Sequence, residues 1–200
     1  MDKVTNVLIV GVGGQGVLLA SEVLSEVAMR VGLDVKKSEV HGMSQRGGVV
    51  SSHVKFGSKV HSPIIPYGQA DILISFEKAE ALRALHWVRK NGLVATSNTR
   101  LVPPSTATGK FAYPEDPVGE IKKKFKNVIS LDADKIALEL GNPRLVNILL
   151  LGVVSTRLEF ETSAWEEAIK SRVKPKFVDL NLKAFARGRE LAEEAIQSAV

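Results

Sequence analysis

The chain has no cysteine in 200 residues. That excludes disulfides, a zinc–thiolate site, a cysteine nucleophile and any iron–sulfur cluster held by the chain's own thiolates. Aromatic residues make up only 6% and are not interleaved with basic ones, so the stacking platform of a nucleic-acid binder is missing. No apolar run is long enough to span a bilayer; the longest, Leu145 to Val154, falls well short of a membrane helix. The four histidines, His41, His53, His61 and His86, have no metal-ligand spacing, and no metal site is expected. The amino terminus, with Asp2, passes directly into strand and glycine turn instead of a leader pattern, which leaves the cytoplasm as the expected location.

Charge is a mild excess rather than an absence. The net charge is +5, and the basic residues are dispersed except for Lys122, Lys123, Lys124 and Lys126, read as the solvated face of a helix. Neither nucleic acid nor membrane is expected as a partner. Two hundred residues suit one domain, residues 1–200, with a sizeable core.

The sequence is rich in strand–turn–helix alternation. Val7 to Val10 reads as a buried strand, followed by Gly11-Val12-Gly13-Gly14-Gln15-Gly16 and a helix over Gln15 to Val31 whose apolar residues recur at helical spacing. A second strand is expected over Asp34 to Val40 and a third over Val49 to Phe56. Gly57-Ser58 is read as turning the third strand into a hairpin with Lys59 to Ser62, where His53 and His61 would pair across strands. Further strands are expected at Ile72–Phe76, Leu93–Ser97 and Val128–Leu131. Helices are expected at Lys78–Lys90, Val118–Phe125, Asp132–Leu140, Leu145–Leu158, Ser163–Arg172 and Leu180–Ala199, with a loop-rich stretch from Thr99 to Pro117. Ser163 and Glu166 stand at capping-box spacing. The alternation implies a three-layer α/β/α domain with a mostly parallel, Rossmann-like sheet and an antiparallel hairpin.

In such sheets the ligand crevice lies beyond the carboxyl ends of the parallel strands. That rule collects Gly11 to Gly16, the loop His41 to Gly48, Glu77 and Asn98 at one edge. The glycine turn admits three readings. It can bind a nicotinamide dinucleotide, it can serve strand–helix packing alone, or it can lie against another phosphate-bearing group or a partner's backbone. A dinucleotide site wants an acidic residue roughly 20 positions on, where this chain has Lys36 and Lys37. Arg46 offers a planar fork for a carboxylate or phosphate, or a salt bridge that pins its loop. Met43 suits an adaptable apolar contact or a gap in the core. Gln15 begins a helix where its amide can orient a ligand. Glu77 can act as a base or simply cap a helix, and Asn98 can shape a turn.

With both glycine segments in view, the chain resembles the gamma-type subunit of 2-oxoacid:ferredoxin oxidoreductases. Gly13-Gly14-Gln15-Gly16 matches that superfamily. Ser38-Glu39-Val40-His41-Gly42-Met43-Ser44-Gln45-Arg46-Gly47-Gly48 looks more like its indolepyruvate branch, where the corresponding chain is the beta subunit. Phe76 to Leu82 and Asn147 to Gly152 are also similar. The resemblance implies oxidative decarboxylation of an aryl 2-oxoacid with coenzyme A, giving acyl-CoA, carbon dioxide and reduced ferredoxin. It implies thiamine diphosphate with Mg, and [4Fe–4S] clusters, on a larger alpha subunit. This chain, which also lacks any Gly-Asp dipeptide, would bind none of them alone. On that reading Gly11, Gly13, Gly14, Gln15 and Gly16 contact cofactor, while Met43, Ser44, Gln45, Arg46, Gly47, Gly48, Glu77 and Asn98 contact substrate or partner. No residue here is expected to be catalytic, and the chain is not expected to be active alone. A self-contained NAD(P)-binding oxidoreductase and a nucleotide- or CoA-binding interaction module are the alternatives.

Overall fold

A computed structural model describes residues 4–41, 48–102 and 112–197. Its frame is a six-stranded sheet made of β1 (Thr5–Val12), β2 (Asp34–His41), β3 (Val49–Gly57), β4 (Ala70–Ser75), β5 (Val88–Ser97) and β6 (Val128–Leu131), in the order β2-β3-β1-β4-β5-β6. The pairs β1–β4, β4–β5 and β5–β6 are parallel, whereas β3 is antiparallel to both β1 and β2. Two reversals restore direction, so β2 runs the same way as β1. Only β3 opposes the rest, and the carboxyl ends of the other five strands share one edge.

Alternation along the strands divides the core. Val7 and Ile9 on β1, Ile72 and Ile74 on β4, and Leu93 and Ala95 on β5 face one layer. That layer holds α1 (Val17–Arg30), α4 (Ala133–Glu139), α5 (Val146–Ser155), α6 (Thr162–Arg172) and α7 (Val178–Gln197). Leu8, Val10, Leu73 and Val94 face the thinner layer of α2 (Lys78–Arg83) and α3 (Pro117–Lys124). Every residue of α5 is buried, as expected of a helix apolar all round. It crosses α7 at two glycines. A Cβ on Gly152 would sit 2.2 Å from the Phe185 carbonyl oxygen, and one on Gly188 would sit 2.0 Å from that of Leu149.

Several expected elements shift. Lys59 to Ser62 is not a strand. β3 already hydrogen-bonds β1 on one side and β2 on the other, so it has no free edge for a hairpin partner. The segment folds back instead, with Val60 buried and its N–H donating to the Asp34 carboxylate at 2.8 Å. His53 therefore does not meet His61. It is buried, its Nδ1 accepts from the Ile65 N–H at 3.2 Å, and its ring meets Trp87 edge-on. Burial holds its pKa below the usual histidine value.

The helix expected to run to Lys90 stops at Arg83, passes through a 3₁₀ turn at Ala84–Trp87, and gives way to β5. Asn91 and Gly92 lie inside that strand, where a register shift against β4 absorbs the extra residues. Helix α1 begins at Val17, since Gly16 is left-handed at φ 85. Helix α5 ends at Ser155, short of Leu158. Helix α6 starts at Thr162 with Glu161 before it and no side-chain cap, so the Ser163–Glu166 capping box does not form.

The α5–α7 crossing gives a direct test. Gly188→Ala forces two helix backbones apart and should cost about 3 kcal/mol or more, read as a lowered urea midpoint. An alanine at Gly141, which has nothing within 4 Å but a φ of +97, should cost only its backbone strain of roughly 1–2 kcal/mol. Equal losses at the two positions would refute the close crossing.

Candidate functional site

The glycine turn sits at the shared carboxyl edge, laced to three neighbours. Gly13 N–H donates to the Gly48 carbonyl at 2.9 Å, which joins the turn to the start of β3. The Gln15 side chain reaches back: its Oε1 accepts from Val12 N–H at 2.7 Å, and its Nε2 donates to the Phe76 carbonyl at 2.8 Å. Asn147, at the start of α5, donates to the Gly16 carbonyl at 3.4 Å.

These links explain the glycines. A Cβ on Gly11 would crowd Gln15, Val17 and Phe76 at 3.0–3.2 Å. One on Gly16 would meet Asn147 at 2.3 Å, on a backbone already at φ +85. Gly14, at φ +102, has open space around it, so the backbone there can be approached closely from outside.

The edge gathers four of the expected segments. Gly11 to Gly16, Gly48, Glu77 and Asn98 all follow or precede strand ends there. Met43, Ser44, Gln45, Arg46 and Gly47 lie outside the described residues, between strands β2 and β3 that open and close at this same edge. The two glycine-bearing segments are thus neighbours, joined by the Gly13–Gly48 hydrogen bond.

Three side chains expected to meet a ligand or partner are engaged within the chain. Both ends of the Gln15 amide are spent on the turn. Glu77 is 1% exposed. One of its oxygens caps α2 by accepting from Glu80 N–H at 2.8 Å, and the other accepts from Tyr113 Oη at 2.5 Å and from Leu101 N–H at 3.3 Å. It pins both flanks of the segment between Leu101 and Tyr113. Asn98 donates to Asp132 at 2.7 Å and accepts from the Ser130 hydroxyl, which ties β5 to β6 and α4. The reason is common to all three: where a parallel strand ends under a helix, its last backbone and side-chain polar groups must find partners inside the fold.

Buried charge shapes the same corner. Burial, together with Glu77, pushes the Tyr113 hydroxyl up, while Arg100 lies 4.8 Å over its ring. Glu80 is buried, and desolvation raises its pKa despite an ion pair with Arg83 at 2.5 Å.

The turn forms a ridge between two hollows. One, of about 360 Å³, includes Val12, Leu18 and Val50; the other, of about 400 Å³, includes Gln15, Thr99, Leu101, Arg144 and Asn147. A hollow of about 490 Å³ lies at the opposite edge, by Thr5, Phe56 and Phe160, away from every segment the strand-end rule selects. Asn147 was legible as the one polar residue in the apolar run Leu145 to Val154. Tyr113 and Arg144 carry no local sequence signal and are brought in by the fold alone. Among the described residues no His, Asp or Glu cluster is arranged to hold a metal ion, and no helix is long and apolar enough to cross a membrane.

A mostly parallel sheet with one reversed strand, a glycine turn after β1 and a second glycine segment hydrogen-bonded to it define a Rossmann-like α/β module. Residues 6–191 match the pyruvate ferredoxin/flavodoxin oxidoreductase family, and the chain belongs to it. It is 42% identical to the indolepyruvate oxidoreductase subunit IorB of Archaeoglobus fulgidus, over 98% of both chains. It is 40% identical to that of Pyrococcus horikoshii, over 97% of this chain and 98% of the other. The gamma subunit of a keto/oxoacid ferredoxin oxidoreductase from Geobacter sulfurreducens shares the fold, with TM-score 0.70, 24% identity, and 95% and 99% of the two chains covered. The 2-oxoglutarate:ferredoxin oxidoreductase of Magnetococcus marinus contains it too, with TM-score 0.71 and 17% identity, over 97% of this chain but 32% of that one.

Two outcomes test the corner. Gln15→Ala leaves Val12 N–H and the Phe76 carbonyl without their partner and should cost about 2 kcal/mol, with faster hydrogen exchange at Val12. Gln15→Glu should not rescue it, having no donor for Phe76. For Glu80 the folded pKa lies above the unfolded one. Its stabilising contribution is complete below the unfolded value and is lost as pH rises through the folded value. Wild type should therefore lose stability relative to Glu80→Gln as pH rises above the ordinary glutamate range, read by urea unfolding. A difference that stays flat would contradict the raised value.

Proposed function

We propose that this chain is the small, accessory subunit of an indolepyruvate:ferredoxin oxidoreductase. The reaction oxidises an aryl 2-oxoacid: its carboxyl group leaves as carbon dioxide, the acyl carbon passes to the sulfur of coenzyme A, and the released electrons reduce ferredoxin. The observation that carries this reading is 40–42% identity to indolepyruvate oxidoreductase IorB subunits along nearly the whole of both chains. Ketoisovalerate and 2-oxoglutarate oxidoreductase subunits match at about 30%.

The chain's own residues do not fit the redox centres. With no cysteine a cluster would have no thiolate ligand here, and no carboxylate or histidine group among the described residues is arranged for a metal ion. Thiamine diphosphate, Mg and [4Fe–4S] clusters are assigned to a partner alpha subunit. The fold's occurrence as one third of a longer chain in the Magnetococcus protein, whose structure holds 2-oxoglutarate, coenzyme A and succinyl-CoA, supports work beside other modules. What this chain supplies is the carboxyl edge of its sheet: the open backbone at Gly14, the Met43 to Gly48 segment with Arg46, and the Glu77 pin that fixes neighbouring loops. It covers and shapes a reaction centre carried by its partner. The soluble pools of coenzyme A and ferredoxin favour the cytoplasm.

Co-expression with the cluster-bearing alpha subunit tests the assignment. The pair should reduce ferredoxin with indolepyruvate and coenzyme A. Either chain alone should show little or no turnover, and the small subunit should carry no iron. Full activity of the alpha subunit alone, or a preference for pyruvate, would overturn it.

A further inference from the structure

The amino edge of the sheet, opposite the glycine turn, carries the hollow of about 490 Å³. That volume is within the usual range for small-molecule sites. It opens between the end of α1, the end of β3 and the link from α5 to α6. A smaller hollow of about 220 Å³ adjoins it and shares Thr5, Arg157 and Leu158.

The walls are of two kinds. Leu33, Phe56, Leu158 and Phe160 are apolar. The Phe56 and Phe160 rings meet at 5.4 Å, tilted by 48°, a geometry that offers an aromatic guest both a ring face and a ring edge. The charged side chains among the described lining residues are Arg157 and Glu159. They are opposite in sign and stand two positions apart. Yet neither side chain has an ion pair or hydrogen bond with the other or with any described residue. The link that carries them is fixed by its backbone. Arg157 N–H donates to the Val154 carbonyl at 3.0 Å, and Leu158 N–H donates to that of Ser155 at 3.2 Å. An unpaired cation and an unpaired anion thus stand at the rim of an apolar hollow.

We propose that this hollow binds a free α-amino acid with an aromatic side chain. Such a molecule carries a carboxylate and an ammonium on one carbon. The Arg157 guanidinium suits the first as a planar fork, and the Glu159 carboxylate accepts from the second. The ring then lies among Leu33, Phe56, Leu158 and Phe160. A plain anion would face repulsion from Glu159 and a plain cation from Arg157, so the opposed pair selects a zwitterion. Binding rests on this hollow and not on the oxidoreductase reading, so it can fail while that reading stands. On that reading the ligand has a meaning. Exchanging its amine for a keto oxygen gives an aryl 2-oxoacid, so the site registers the precursor class of the proposed substrate.

The test is calorimetric titration of the full chain with L-phenylalanine and three partial ligands. These are 3-phenylpropionate, which lacks the ammonium, phenethylamine, which lacks the carboxylate, and L-alanine, which lacks the ring. L-Phenylalanine should bind saturably, at one site, and about tenfold more tightly than any of them. Arg157→Gln should weaken L-phenylalanine about tenfold and leave phenethylamine unchanged or tighter. Glu159→Gln should weaken it similarly and leave 3-phenylpropionate unchanged or tighter. Both side chains are exposed and make no bond within the fold, so neither variant should lower the urea midpoint. Lys135→Gln, at an exposed position near the glycine-turn edge, should leave binding unchanged. No saturation at millimolar L-phenylalanine, equal affinity for any partial ligand, unchanged binding in Arg157→Gln or Glu159→Gln, or equal loss in Lys135→Gln would overturn the proposal.

Discussion

A single carboxamide holds the functional edge together. Gln15 bridges the end of β1, through Val12 N–H, and the end of β4, through the Phe76 carbonyl. Without that bridge the glycine turn would keep its own backbone bonds and the links to Gly48 and Asn147, but no tie to the end of β4. Glycines make the turn possible but cannot by themselves make it rigid, because the freedom that admits φ values of +85 and +102 also admits others. The side chain supplies the restriction that the backbone lacks. Everything placed against the turn, from the start of β3 to the first residue of α5 that carries an amide, inherits its position from that bridge.

Polar groups at this edge form two nested layers. The inner one comprises Gln15, Glu77 and Asn98, whose hydrogen-bonding capacity closes strand ends, caps α2 and joins β5 to β6. The outer one comprises Gly14 and Arg144. The loops that face outward can vary in sequence while the groups beneath keep the edge's shape.

How much of this was legible from residues alone follows from the range of the forces. The periodic apolar pattern of α1, the buried runs of β1 and β4 and the turn Gly11 to Gly16 are local signals, and the fold class follows from them. The strand-end rule also placed Gly48, Glu77 and Asn98 correctly at one edge. It failed to foresee what their side chains do, since Glu77 meets Tyr113 across 36 positions and Asn98 meets Asp132 across 34. The hairpin at Lys59 to Ser62 failed for the same reason. Gly57-Ser58 is a sound turn signal, but the hydrogen-bonding edge it needed is occupied by β1, more than forty positions earlier in the chain. The early onset of β5 depends on a register shift against β4 that no local pattern announces.

The reversed strand has one further implication. Because β3 is flanked on both sides, the sheet's outer borders fall to β2 and to the four-residue β6. β2 carries Asp34, Lys36, Lys37 and Glu39, with Lys36 and Lys37 each bound to a carboxylate of the same strand. A border armed with alternating charge resists annealing to a foreign strand, and a very short one gives it little to grip. Neither side invites a continuous intermolecular sheet, so any assembly this polypeptide enters is left to helices and rim loops, with its pleated centre kept private.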